Sequence, residues 1–77
     1  MSHVPNALTQ QFPDAAEQMH LLKLSDPHFA RLTSAYDDVN GAIHRAETDI
    51  EPTDDTHMVH MRKSRLHLLD EIAAYLV

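Results

Sequence analysis

The sequence predicts an all-α protein whose centre is an antiparallel, coiled-coil-like hairpin of two helices, preceded by a short N-terminal helix. Three observations support this prediction: a helix start signal at Asp26-Pro27, two apolar seams with heptad spacing, and a register in which the seams face each other. A chain of 77 residues makes at most one domain. We place this single helical domain at residues 13–77, after a flexible segment over 1–12.

Prolines and capping residues set the predicted helix boundaries. Asp26 followed by Pro27 is typical of an N-cap and a first helical position, so a helix is expected to begin at Pro27. Acidic residues around Pro52 predict a turn over 49–55. The predicted helices span about 14–24, 27–48 and 54–76.

Apolar residues on the two long helices recur at steps of three and four, which is the heptad pattern of a coiled coil. In an antiparallel hairpin the numbers of facing residues add up to a constant. Pairing the seams from Phe29 opposite Leu76 to Ile43 opposite Arg62 satisfies this condition. The predicted hairpin seam comprises Phe29, Leu32, Tyr36, Val39, Ile43, Met58, Leu69, Ile72 and Leu76.

The third predicted helix carries more apolar surface than one partner helix covers. Its candidate outer face comprises Val59, Met61, Leu66, Leu68 and Tyr75, with Ala73 beside them. Either the first helix, through Met19, Leu22 and Leu24, or a second copy of the chain is expected to cover this surface. The expected partners are a homo-oligomer, with a dimer favoured, and another helical protein. The absence of cysteine, hence of disulfides, also favours oligomerisation for so short a chain.

Two arginines occupy seam positions on the third helix and predict a polar layer. We expect Arg65 to bond near Asn40 and Arg62 to pair with Glu47 on the facing edge of the second helix. One interpretation is a layer that sets the register or recruits an acidic partner. The other is that both arginines lay their stems along the seam and keep their charged ends in water.

Three runs of sequence resemble a known family. They are residues 24–32 (LSDPHFARL), 36–40 (YDDVN) followed by 43–47 (IHRAE), and 65–72 (RLHLLDEI). Their order and spacing are similar to the YdcH-like family of small bacterial proteins, domain of unknown function 465, and the resemblance covers roughly residues 12–76. It implies a short helical hairpin without an assigned activity, so no catalytic residue is carried over.

Composition and motifs disfavour several functions. Twelve acidic residues against six Lys and Arg give a formal charge of −6, which disfavours nucleic acid and anionic membranes. The sequence has no cysteine nucleophile, glycine-rich phosphate loop or recognisable catalytic triad, so we expect no enzyme, no cofactor and no small-molecule substrate. It also lacks a signal-peptide pattern and an apolar run of about 20 residues, so we predict a cytoplasmic protein.

The leading hypothesis is therefore an uncharacterised helical protein that acts as a self-associating or protein–protein interaction module. The alternative is a histidine-dependent metal-binding or pH-responsive protein, since the chain has seven histidines. His57 and His60 lie near Asp54, and Glu17 precedes His20 by three residues, a spacing used in di-iron bundles. Solvent-facing polar residues explain both pairs, so no residue is predicted to bind a metal.

Overall fold

The computed structural model describes residues 5–48 and 53–76, and every regular element in these ranges is helical. The predicted all-α class, with two long packed helices after a shorter one, is confirmed. The long helices begin and end within one residue of their predicted bounds, whereas the shorter helix predicted to begin at residue 14 begins at Ala16. Residues 1–4, 77 and the part of the predicted turn at 49–52 lie outside the described residues. The elements are α1 (Leu8–Gln11), a 3-10 turn (Pro13–Ala15), α2 (Ala16–Ser25), α3 (Pro27–Glu47) and α4 (Asp55–Leu76).

Side-chain caps explain where the long helices begin. The Asp26 carboxylate accepts hydrogen bonds from the backbone N–H groups of His28 and Phe29, at 2.9 and 3.2 Å. Asp54 accepts one from the backbone N–H of His57 at 2.7 Å. Each cap satisfies an N–H group that has no partner within its helix, and such a cap stabilises a helix by about 1 kcal/mol.

The α3 and α4 helices pack antiparallel in the predicted register. At one end the rings of Phe29 and Tyr75 meet edge to face with their centroids 5.1 Å apart. Further along, Arg65 donates a hydrogen bond to Asn40. The numbers of these pairs add up to 104 and 105, within one of the sum of 105 for the predicted pair Phe29 and Leu76, so the two helices follow one register over several turns.

The core consists of two apolar clusters along this hairpin. The larger cluster lies where the N-terminal elements meet the hairpin, and its buried residues are Leu8, Met19, Phe29, Leu32, Tyr36 and Ile72. The smaller cluster lies nearer the connection between α3 and α4 and contains Ile43, Ala46 and Met61. Fully burying a large apolar side chain contributes about 1.5–3 kcal/mol, so these few residues supply much of the stability of a small fold.

The segment before α2 is more structured than the sequence suggests. Residues 5–12 form a turn and α1, although the sequence predicts a flexible segment there. Leu8 is buried in the larger cluster. The Tyr36 hydroxyl donates a 2.6 Å hydrogen bond to the backbone carbonyl of Asn6, and the Asn40 amide donates one of 2.9 Å to that of Pro5. These bonds join residues 30 and 35 positions apart, so no local pattern indicates them.

One flank of α4 is covered within the chain, which corrects part of the predicted outer face. Met61 is buried beside Ile43 in the smaller cluster. Leu68 and Tyr75 are half-buried against the larger cluster, to which α2 contributes Met19. These three residues therefore belong to the packed side of α4. The physical reason is that these side chains pack into the two clusters of the hairpin itself. The α2 helix packs mainly on α3, and Leu24, one of the residues predicted to cover α4, is 74% exposed.

Candidate functional site

The opposite flank of α4 remains open. Val59 is 47% exposed and Leu66 is 59% exposed, and Ala73 is half-buried. These residues are seven positions apart, so they lie above one another on one side of the helix. Exposed Lys63 and Asp70 lie along the same edge, one turn before and one turn after Leu66. We call these five residues, Val59, Lys63, Leu66, Asp70 and Ala73, the α4 stripe.

A shallow cleft of about 190 Å³ borders the α4 stripe. It is lined by Asn6, Gln11, Tyr36, Arg62, Arg65, Leu66 and Leu69. A second cleft, of about 200 Å³, lies between the N-terminal residues, α2 and Asp37. Clefts that enclose drug-sized ligands have volumes of about 300–1,000 Å³, so both are small for that purpose.

Asn40 forms the buried half of the polar layer. It is 4% exposed, and its side chain uses both ends: the amide nitrogen donates to Pro5, and the carbonyl oxygen accepts from Arg65 Nη1 at 3.0 Å. The predicted bond between Arg65 and Asn40 is therefore confirmed. Asn40 links α3, α4 and the N-terminal segment at one point, which favours the interpretation in which this half of the layer sets the register.

The other half of the polar layer lies in solvent. Arg62 Nη2 and Glu47 Oε2 are 3.1 Å apart, which confirms the predicted pair. Both side chains are about half exposed, at 51% and 46%. An exposed ion pair of this kind stabilises a protein by about 0–1 kcal/mol. Arg62 thus matches the interpretation in which the charged end stays in water, while Arg65 does not.

The two tyrosines act as neutral groups. Burial raises the pKa of the Tyr36 phenol and Asp37 adds to the effect, while the positive charge of Arg65 opposes it. Partial burial raises the pKa of Tyr75, and the nearby Asp26 carboxylate raises it further. Both phenols therefore keep their protons at neutral pH. In that state Tyr36 donates its hydrogen bond to the N-terminal segment.

Comparison with known proteins identifies the hairpin. A family model described as "Protein of unknown function (DUF465)" matches residues 29–76, which cover most of α3 and all of α4. The chain belongs to the DUF465 family. The resemblance to YdcH-like proteins is thereby confirmed for the hairpin, while the match does not extend to residues 12–28. No curated protein and no solved structure matches the chain.

The predicted seam of this DUF465 protein lies inside the hairpin. Its buried members are Phe29, Leu32, Tyr36, Ile43 and Ile72. Its half-buried members, which pack against the two clusters, are Val39, Met58, Leu69 and Leu76. The burial of Leu8 in the core was not predicted from the sequence. The available signal was the spacing of Leu8 and Phe12, four residues apart on an amphipathic turn, since Phe12 packs against the same cluster.

The candidate metal ligands do not assemble in the structure. Over residues 5–48 and 53–76, no three His, Asp or Glu side chains are grouped closely enough to hold an ion. Asp54, which lies near His57 and His60 in the sequence, instead caps α4. None of the helices in this part of the DUF465 chain is long and apolar enough to cross a bilayer.

The two halves of the polar layer are expected to differ in their contribution to stability. Asn40→Ala removes a partner from the Pro5 carbonyl and from Arg65, and should lower the free energy of unfolding by about 1–3 kcal/mol. Glu47→Ala breaks only the exposed pair and should cost less than about 1 kcal/mol. Urea denaturation at one fixed protein concentration measures both. Equal costs for the two variants would contradict this assignment.

Proposed function

We propose that this DUF465 protein is a non-catalytic helical interaction module that associates through the α4 stripe, in the first place with further copies of itself. The observation that carries the proposal is the exposure of Leu66, which is 59% accessible in the middle of a helix whose other apolar flank is packed. Val59 extends the exposed surface two turns towards the start of α4.

The size of the chain supports association. A domain of about 60 residues buries only about 60% of the surface that its unfolded chain exposes, so its stability is marginal. This chain is only slightly longer and has no cysteine to form a disulfide. Binding a second chain stabilises the folded state by mass action, because the unfolded state lacks the binding surface.

The clefts support a binding role over catalysis. Both are small and shallow, and the polar groups beside the α4 stripe already take part in structural bonds: Arg65 with Asn40, and Arg62 with Glu47. The metal-binding and pH-responsive alternative has no comparable observation in its favour. A second partner, another helical protein, would use the same stripe. The cytoplasmic location and the bacterial origin remain predictions.

A matched pair of variants tests where the chain associates. Leu66 and Leu21 are exposed to nearly the same extent, 59% and 56%, but lie on α4 and α2. We expect the wild-type mass in solution to rise with concentration. Leu66→Asp places a charge in the interface and should weaken association by about tenfold or more, which corresponds to about 1.4 kcal/mol, with helicity retained. Leu21→Asp should associate like the wild type.

Light scattering coupled to size exclusion, with circular dichroism on the same samples, gives both readouts. A wild-type chain that stays monomeric at all concentrations would contradict self-association. Equal association of the wild type and Leu66→Asp would show that a different surface is used. Loss of association in Leu21→Asp but not in Leu66→Asp would place that surface on α2.

A further inference from the structure

Charge changes sign along α4 between residues 62 and 71, after a first turn that carries Asp55. Arg62, Lys63 and Arg65 come first along the helix, and Asp70 and Glu71 follow. Arg62 and Glu71 already have partners in the chain, Glu47 and His67 respectively, and Arg65 bonds to Asn40. Over residues 5–48 and 53–76, Lys63 and Asp70 make no ion pair of their own.

The positions of these two charges make the α4 stripe complementary to itself. Lys63 and Asp70 are seven residues apart on one edge, on opposite sides of Leu66. If a second α4 runs antiparallel and crosses near Leu66, Lys63 of each copy lies beside Asp70 of the other. In the same arrangement Val59 of each copy lies beside Ala73 of the other. A parallel pair would instead place Lys63 against Lys63 and Asp70 against Asp70.

We propose that two copies of the chain pair antiparallel through their α4 stripes, about a twofold axis near Leu66. This inference rests on the proposed function and adds the orientation and register of the partner. A twofold axis makes every contact occur twice, so one Lys63–Asp70 juxtaposition provides two ion pairs. The exposed apolar residues Val59 and Leu66 form the centre of the interface, and the charges flank it and select the orientation.

Charge reversal tests the orientation directly. In the antiparallel dimer Lys63→Glu sets two pairs of carboxylates against each other, and Asp70→Lys does the same with two pairs of ammonium groups. We expect each single variant to weaken dimerisation by about tenfold or more. The double variant Lys63→Glu/Asp70→Lys should recover wild-type dimerisation, because both pairs become attractive again. A mixture of the two single variants should form heterodimers. Across their interface one pair is the native Lys63 with Asp70, and the other pair carries the same two charges in exchanged positions, so both pairs are attractive.

The same variants have a different outcome in a parallel dimer. There the wild-type chain already has like charges in contact, so Lys63→Glu only exchanges one repulsion for another and leaves dimerisation unchanged. Glu71→Lys is the matched control, because Glu71 lies on α4 beside Asp70 but outside the stripe. It should dimerise within about threefold of the wild type. Sedimentation equilibrium at moderate ionic strength measures all dissociation constants.

A distance measurement provides an independent readout. The chain has no cysteine, so Thr56→Cys introduces a unique site for a spin label at an exposed position beside the stripe. In the antiparallel dimer the two labels are separated by about 20 residues along the helix axis, or about 30 Å at 1.5 Å per residue. In a parallel dimer they are about one helix spacing apart, about 10 Å.

Long distances together with rescue by the double variant support the proposal. Short distances, or single variants that dimerise like the wild type, overturn the antiparallel register while leaving association through α4 intact. A wild-type chain without any dimer overturns both this inference and the proposed function. The two failures are therefore distinguishable in the same set of experiments.

Discussion

Replacing Ile43 with aspartate is expected to unfold the hairpin. Ile43 is fully buried in the smaller cluster with Ala46 and Met61. Truncating a buried isoleucine costs about 2–5 kcal/mol, and burying a carboxylate without a partner adds several more. A domain of this length has a stability of about 4–12 kcal/mol at about 0.05–0.15 kcal/mol per residue, so the substitution removes most or all of it.

Far-UV circular dichroism measures this effect, with Ile43→Val as the matched control. The valine variant keeps an apolar side chain at the site and should lose only about 0.5–1.5 kcal/mol. Ile43→Asp should show little helical signal at about 25 °C and no cooperative melting transition. If it kept the wild-type helicity and melted at nearly the wild-type temperature, Ile43 would not lie in the hairpin core.

The second large effect is expected at Phe29, where α2, α3 and α4 meet. Its side chain is fully buried, packs edge to face on Tyr75 and belongs to the cluster that contains Met19 of α2. Phe29→Ala should lower the free energy of unfolding by about 3–5 kcal/mol. For a domain of this size each kcal/mol shifts the melting temperature by about 4–8 °C.

Chemical denaturation at a fixed protein concentration measures this loss, because association would otherwise contribute to the apparent stability. Phe29→Leu is the control: it retains most of the buried apolar volume but loses the contact between the rings, and should cost clearly less than the alanine variant. A buried phenylalanine is expected to cost several kcal/mol of the free energy of unfolding when it is replaced by alanine. If Phe29→Ala lost less than about 1 kcal/mol, the larger cluster would not hold the helices together.

Much of the hairpin could be predicted because its determinants are local and periodic. The Asp26-Pro27 start signal acts through bonds to the backbone N–H groups of His28 and Phe29, and the seam repeats along each helix. The antiparallel register then follows from matching the two seams. The same register correctly predicts that Arg65 lies beside Asn40, because both residues lie next to the seam on one edge of the hairpin.

The sequence could not decide which flank of α4 is covered. Both flanks are apolar, and the sequence pattern alone does not distinguish them. In the structure Leu68 packs against the larger cluster, whereas Leu66 stays exposed at the edge of the cleft that Asn6 and Gln11 also line. The packing of the N-terminal segment was also not predicted. The segment is held by hydrogen bonds to the backbone carbonyls of Pro5 and Asn6, and every residue type carries such a carbonyl.

Because Leu68 is packed and Leu66 is exposed, a charge at Leu68 should have a different effect from the one that the sequence suggests. From the sequence we would expect Leu68→Asp to weaken association and leave the helices intact. In the structure Leu68 packs against the larger cluster, so the charge should destabilise the fold itself. A charge at the exposed Leu66 is therefore the substitution that tests association without disturbing the core.

The α4 stripe is proposed to bind a second copy of the chain. An NMR dilution series on the wild-type protein tests this proposal, because amide resonances report both association and its location. We predict concentration-dependent shifts at residues of the α4 stripe, centred on Leu66, and no comparable shifts around Leu21 on α2. Spectra that do not change from micromolar to millimolar concentration, or that change only on α2, would contradict the claim.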